Sequence, residues 1–396
     1  MTGDPLAGVR VLDLTRLLPG GVLSALLADL GADVVKVEEP TAGDYMRWGE
    51  PRIGPESAAS WIVGRGKRSV ALDLKSPAGV SAFLRLAATV DVVIEGFRPG
   101  VVDRLGVGYD AVRAVNPRVV YASLTGYGSD GPLRDVAGHD LNYTAYAGVL
   151  GITGTRSGEV AIPGVQVGDL GGGTILGMGI LAALVHAART GAGSRVEVSM
   201  YDAALAWTSI HAGAFFASGA ATGPGSMPLN GLLPCYNVYR CSDGRYLSVG
   251  ALEPAFWAAF CGTLGRADLV DRASDPTAVD EVAVALAGRP RDDWVAEFAG
   301  VDACVAPVLD LGEALDHPLA RARGMVQEGQ VAHGSDATAR TLGTPIRIDG
   351  VVRPIGSPPP ALGEHTREVL VAAGLADTEV DGLIASGVAV DRAAPR

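Results

Sequence analysis

Short apolar runs alternate with helical stretches over the first third of the chain. Residues 9–14, 33–37, 92–95 and 119–124 are rich in Val, Ile and Leu, too short for helices, and 194–199 has the same character. Between the first two lies a helical stretch over 19–30, with Gly31 where a helix stops. Ser76-Pro77 pairs an N-capping residue with Pro at the first helical position, which predicts a helix running to about residue 90. Near-continuous apolar strands separated by helices predict a parallel sheet covered on both faces. The fold class expected is therefore α/β, with a large, doubly wound, Rossmann-like lobe over residues 1–205.

The pattern then changes. Residues 204–217 predict one more helix, and Ala-Thr-Gly-Pro-Gly-Ser at 221–226 is loose and small-residued, so a linker is expected over 206–228. Beyond it, 236–240 and 245–249 flank Ser242-Asp243-Gly244, a hairpin signal. Helical stretches follow at 253–264, 278–287 and 291–299. These predict a smaller α+β lobe over 229–325. The remainder, 335–396, has a Pro-rich loop at 354–360 and a helix from about 365, and is expected to return to the large lobe.

Composition narrows the function classes. The chain has 396 residues, 48% hydrophobic and only 19% charged, enough to bury a large core. Its formal net charge of -12 argues against nucleic acid as a partner, and an anionic ligand needs locally placed Arg and Lys. The four cysteines, Cys235, Cys241, Cys261 and Cys304, form no Cys-x-x-Cys pair and have no His at ligand spacing, so no metal site is expected. The opening Met-Thr-Gly-Asp-Pro-Leu does not look like a signal peptide, and the apolar, Gly-rich stretch 173–188 reads as a buried helix, not a membrane span. A reducing cytoplasm is the expected compartment, with no membrane partner.

Two constellations carry candidate chemistry. Gly126-Tyr127-Gly128-Ser129-Asp130-Gly131 matches G-x-G-x-x-G after a strand, but Pro132 follows at once and no helix opens at the glycines. A dinucleotide needs that helix N-terminus for its pyrophosphate, so a Gly-rich loop at the carboxyl end of a strand is the better reading. The loop leads into Gly138-His139-Asp140-Leu141-Asn142-Tyr143, where His139 stands apart from the other five histidines by its position. The second constellation is Gly168-Asp169-Leu170-Gly171-Gly172-Gly173. Asp169 there reads equally as a helix N-cap, and the glycines call for close approach of a ligand or a neighbouring helix. A His and a carboxylate can exchange a proton at a carbon made acidic by a thioester, or the carboxylate can attack the thioester carbonyl as a nucleophile. The residue types leave both open.

Several further segments occur in order along almost the whole chain. They are 27–38 (Leu-Ala-Asp-Leu-Gly-Ala-Asp-Val-Val-Lys-Val-Glu), Leu72-Asp73-Leu74-Lys75, Glu95-Gly96-Phe97-Arg98-Pro99-Gly100, Leu124-Thr125-Gly126-Tyr127-Gly128 and Leu362-Gly363-Glu364-His365-Thr366. Together with Gly138-His139-Asp140 and Gly168-Asp169, they resemble the class III coenzyme A transferase superfamily, which includes the α-methylacyl-CoA racemases. Gly-His-Asp-x-Asn-Tyr is similar to the racemase branch, whereas transferases usually show Asp followed by Gln-Ala at that place. The resemblance implies that His139 and Asp169 are two catalytic bases and that Glu253 supports the imidazole. It implies coenzyme A contacts at Leu72, Asp73, Leu74, Lys75, Gly96, Phe97, Arg98, Arg104, Gly138, Asp140, Asn142 and Tyr143. It implies no metal or redox cofactor, coenzyme A being part of the substrate. It also implies an interlocked homodimer in which Glu253 of one chain serves the site of the other. One departure stands out: where relatives often carry Arg before the Pro after the second strand, this chain has Glu39-Pro40. The expected activity is epimerisation of 2-methylacyl-CoA in lipid metabolism, against two rivals. These are coenzyme A transfer between carboxylic acids through an aspartyl anhydride, and non-catalytic acyl-CoA binding.

Overall fold

The computed structural model describes residues 4–392. The opening residues used above in setting aside a leader lie partly outside that range. Two compact units emerge: one takes the chain up to Tyr143, Gln166–Ala204 and His317 onward, the other Thr144–Val165 and Leu205–Asp316.

The larger unit is built on a seven-stranded sheet in the spatial order Ala389–Val390, Lys67–Leu72, Asp33–Glu38, Arg10–Asp13, Val92–Glu95, Val120–Thr125, Ser194–Ser199. All neighbours are parallel except the edge strand Ala389–Val390, which runs antiparallel to Lys67–Leu72. The chain lays strands outward to one side from Arg10–Asp13, then returns and lays the rest on the other side. The reversal between Arg10–Asp13 and Val92–Glu95 opens a crevice at their carboxyl ends, where doubly wound sheets take ligands.

Each strand alternates its side chains between two faces. Leu12, Val35, Val93 and Tyr121 join one core with Phe83, Leu86 and Val112 and with Leu370 and Val380 of the C-terminal helices. Val11, Val34, Ile94 and Ala122 join the other with Leu23, Leu27, Leu176 and Ile180. The second face is formed by helices Leu17–Asp29 and Val167–Thr190. Val167–Thr190 is apolar and long enough to span a bilayer by composition, yet Leu176, Ile180, Ala183 and Ala187 are buried in the unit's own core. Its glycines find their explanation here. A Cβ at Gly173 would stand 2.5 Å from the Pro19 carbonyl oxygen, and one at Gly172 would stand 2.8 Å from Met200 Cγ. They let a neighbouring helix and the following strand end approach; the ligand alternative is not needed for them.

The strand Lys67–Leu72 has no counterpart among the expected strands, because it begins Lys-Arg-Ser. Those polar residues are paired instead of solvated. Lys67 and Lys36 lie 3.5 and 3.7 Å from the Asp13 carboxylate, itself fully buried, which also accepts from Ser24 and Thr15 hydroxyls at 2.5 Å each. Lys36 reaches Asp44 at 2.8 Å as well. Burial opposes the charge on Asp13, but the two lysines and two hydroxyls hold its carboxyl below the usual range. Burial pushes Lys67 down to about 8, Asp13 opposing and Lys36 reinforcing the shift.

The smaller unit contains the expected hairpin, Tyr236–Arg240 against Tyr246–Gly250, extended by Val305–Pro307. Its core gathers Tyr239, Leu247, Trp257, Phe260, Leu269 and Val282 against helices Pro254–Leu264, Val279–Leu286 and Arg291–Glu297. Its limits differ from those expected. Thr144–Val165 belongs to it, while His317 and the residues after it belong to the larger unit. The helix expected over 204–217 is present as two, Met200–Trp207 and Ser209–Ser218, so the expected linker over 206–228 is helical up to Ser218. The reason is ordinary helix propensity continuing through an apolar stretch; only about 219–226 is loose.

Breaking the buried cluster tests this account. Asp13→Asn leaves two buried ammonium groups with one counter-charge fewer and should cost about 3 kcal/mol in denaturant unfolding. A loss below about 1 kcal/mol would contradict the pairing described.

Candidate active site

The loop after Arg10–Asp13 and the loop after Val92–Glu95 meet at the crevice, and two cavities open there, both within the larger unit. One, of about 310 Å³, is lined by the ends of the second and third strands through Lys36, Glu38, Glu39, Leu72, Asp73, Leu74 and Lys75. The other, of about 320 Å³, is lined by Gly96, Phe97, Arg98, Gly138, His139, Tyr143 and Asp169, among others. Thr15, Arg16 and Phe97 line both, so the cavities adjoin. The Arg16 guanidinium lies over the rings of Tyr45 and Phe97, 5.6 and 5.2 Å from their centroids.

His139 and Asp169, 30 positions apart in the chain, thus face one cavity. Asp140 connects them. It opens helix Asp140–Tyr146, directly after His139, and its Oδ1 accepts from the backbone N–H groups of Gly168 and Asp169 at 2.7 and 3.0 Å. Asp140, not Asp169, therefore caps the helix Val167–Thr190, whose own N-cap residue Gln166 makes no side-chain cap bond. The cap leaves Asp169 free to point at the cavity and sets a second carboxylate beside it. Burial, then the charge of Asp140, pushes Asp169 up to about 6.

The other side of the loop is pinned by Tyr143 and Asn142. The Asn142 side chain accepts from the His139 backbone N–H at 3.1 Å, the reciprocal half of a capping arrangement. The Tyr143 hydroxyl donates to the Gly138 carbonyl, and its ring packs edge-on against Tyr127 with centroids 5.0 Å apart. A Cβ on either Gly126 or Gly138 would come within 2.7 Å of Tyr143 Cε1. Both glycines are explained by this buried ring. Burial, then the charge of Asp169, pushes the Tyr143 phenol up to about 12, so it stays a neutral donor.

The expected contacts divide accordingly. Leu72, Asp73, Leu74 and Lys75 gather on the first cavity, and Gly96, Arg98, Gly138, His139, Tyr143 and Asp169 on the second, with Phe97 on both. Asp140 and Asn142 are outside either lining and hold the backbone instead. Arg104 also lies outside, but a Cβ on Gly100 would stand 3.5 Å from Arg104 Nη1 and 3.7 Å from Arg134 Nη2. Arg98 and Arg134 line the second cavity. Among the described residues, none of these three arginines is paired with a carboxylate. Three uncompensated guanidiniums on a chain of net charge -12 mark an anion site. Glu253 is exposed at the N-cap of Pro254–Leu264, in the smaller unit, and is not part of this lining. Arg16 and Arg134 were not singled out from the sequence; no motif surrounds either, though Arg16 directly follows a strand end.

A doubly wound sheet thus carries, at its crevice, an imidazole and a carboxyl on one cavity beside a cationic rim, an arrangement suited to proton transfer or nucleophilic attack on an anionic substrate. The family model for CoA-transferase family III matches residues 6–366, and the chain belongs to that family. It is 36% identical over 388 residues to the alpha-methylacyl-CoA racemase of Mus musculus, covering 95% of each chain. It is 32% identical over 399 residues to the succinyl-CoA:glutarate CoA-transferase of Homo sapiens, covering 98% of this chain and 90% of that one. Among solved structures, a CAIB/BAIF family protein from Brucella suis superposes with TM-score 0.80 at 30% identity, covering 93% of this chain and 99% of that chain.

Asp169 gives a pH test. Its folded-state value near 6 lies above the ordinary 3.8, so the folded chain binds the proton more tightly. That contribution is complete below about 3.8 and is lost as pH rises through about 6. Asp169→Asn removes it, so the melting temperature of the variant relative to the parent should rise between pH 4 and pH 7. A difference that stays flat or falls would contradict the raised value.

Proposed function

We propose that the protein epimerises 2-methylacyl-CoA thioesters by moving a proton at the α-carbon, with His139 and Asp169 as the two bases. The observation that carries this reading is the placement of both groups on one cavity of about 320 Å³ beside a cationic rim. One base takes the α-proton as the C–H electron pair moves into the thioester, leaving an enolate. The other returns a proton to the opposite face, which inverts the carbon. Amide groups at the start of helix Asp140–Tyr146 meet the enolate oxygen in this reading. A carboxyl near pH 6 suits the task, since it holds and releases a proton at nearly equal cost close to neutrality. Arg98, Arg104 and Arg134 receive the diphosphate of the carrier. Glu253 supports the imidazole from a second copy of the chain, in a homodimer. No metal or redox cofactor takes part.

The family also contains relatives named as CoA-transferases, and Asp169 could serve such a reaction as nucleophile. The two readings separate in deuterated water. A (2R)-2-methylacyl-CoA should gain α-deuterium and yield both epimers, and His139→Ala and Asp169→Ala should each abolish this while retaining coenzyme A binding. Full epimerisation by His139→Ala would defeat the two-base assignment. An Asp169 anhydride trapped by hydroxylamine, without α-exchange, would favour transfer.

A further inference from the structure

Leu17 stands in a backbone conformation that a residue with a Cβ rarely adopts. Its φ is 64°, in the left-handed region. Among the described residues, the other two non-glycine residues with positive φ, Cys304 and Asp349, line neither cavity of the crevice. Leu17 lines the cavity that holds His139 and Asp169. Strain of this kind persists only where the surroundings over-determine it, and it gathers at active sites and ligand clamps.

The surroundings over-determine it here. The Leu17 N–H donates to Asp44 Oδ1 at 3.1 Å, and Asp44 Oδ2 lies 2.8 Å from Lys36 Nζ. Lys36 in turn donates to the Thr15 carbonyl. A buried ion pair thus anchors the chain on both sides of Arg16, and the turn at Leu17 is set between the two anchors. Two residues on, the chain is pressed against the helix that carries Asp169. The Pro19 carbonyl oxygen lies 2.5 Å from where a Cβ on Gly173 would stand, and Gly173 follows Asp169 by one helical turn on the same face. Met200 Cγ and Leu124 Cδ1 crowd the neighbouring Gly172 in the same way, at 2.8 and 3.3 Å. Leu17, Pro19, Leu124 and Met200 all line the cavity, so its wall beside Asp169 is apolar. Leu124 and Met200 are buried, whereas Leu17 and Pro19 are half-buried and keep free apolar surface.

We propose that the Leu17 side chain determines specificity for the 2-methyl branch, closing an apolar pocket beside Asp169 that receives the α-methyl group. The inference rests on the epimerase reading above. In the enolate, the thioester carbon, the methyl group and the acyl chain lie in one plane between the two bases. The thioester leads toward the cationic rim, and the methyl group meets the apolar wall at the edge of the plane. Contact with Leu17 buries apolar surface on both partners and fixes the α-carbon between the bases. An unbranched acyl chain leaves the pocket empty and its α-carbon less firmly placed.

The test is α-deuterium incorporation in deuterated water, read as kcat/KM, for a 2-methylacyl-CoA and the unbranched acyl-CoA of the same chain length. The parent is compared with Leu17→Gly and Leu17→Asn. Gly removes the side chain and suits the left-handed backbone; Asn also tolerates that backbone and has nearly the shape of Leu, but presents an amide. Asn therefore keeps the turn if loss of the side chain unfolds it, and titration with free coenzyme A reports the fold of each variant. The parent should favour the branched substrate, and both variants should reduce that preference roughly tenfold, the usual effect of one methyl group in an apolar pocket. A parent without the preference overturns the proposal. So does a preference that both variants keep within about twofold. If the parent exchanges the α-proton of neither substrate, the epimerase reading itself falls, a result distinct from a preference left unmoved.

Discussion

One carboxylate holds the candidate site together. Asp140 follows His139 in the chain and accepts from the amides of Gly168 and Asp169, so the loop bearing the imidazole is tied to the helix bearing the acid. A helix start has N–H groups that need partners, and an aspartate at the start of one helix here serves the start of another. The consequence is electrostatic as well as geometric. Asp169 gains a neighbouring negative charge and is half-withdrawn from water. Both effects favour its protonated form. A group that would be a spectator anion near neutral pH becomes able to give and take a proton.

The frame that brings these parts together is the reversal of strand order in the larger sheet. Thr15 and Arg16 emerge from one side of the reversal and Gly96 to Arg98 from the other, and both cavities open on that seam. The seam is stiffened from below by Asp13, whose carboxylate gathers Thr15, Ser24, Lys36 and Lys67. A buried charge is tolerable only when paired and hydrogen-bonded, and here each partner comes from a different strand, helix or loop. The cluster therefore fixes the loop that carries Arg16. It also neutralises one side of the crevice, while the arginines on the other side stay unpaired. The distribution of charge along the crevice follows from where the fold needed its buried ion pairs.

Much of this was legible in the residues. The apolar runs at 92–95 and 194–199 are strands at those limits, Ser76-Pro77 does precede a helix, and Gly126 to Gly131 opens no helix. The doubly wound class followed from those runs alone. The strand Lys67–Leu72 escaped notice because its polar residues are buried in pairs, and pairing across 54 residues, as between Asp13 and Lys67, leaves no local pattern. The glycines at 172 and 173 left ligand and helix packing open, since only the neighbouring Pro19, Leu23 and Met200 decide between them. The capping role of Asp140 was hidden for the same reason: its partners lie 28 and 29 positions away. His139, Asp169, Arg98 and the Leu72 to Lys75 segment came from motif resemblance, and the structure gathers them at one end of the sheet. Arg16 and Arg134 had no motif to mark them.

The central claim is that Asp140 both aligns His139 and Asp169, the two bases of the proposed epimerisation, and raises the affinity of Asp169 for its proton. The pH dependence of α-proton exchange, measured for the parent and for Asp140→Asn, tests it most directly. Asparagine keeps an oxygen for the two amides but removes the charge. In the proposed epimerisation the acid limb of the parent should reflect the Asp169 carboxyl, which burial and the charge of Asp140 push up to about 6. In Asp140→Asn that limb should move to lower pH while exchange persists. An acid limb that stays in place in the variant would contradict the account.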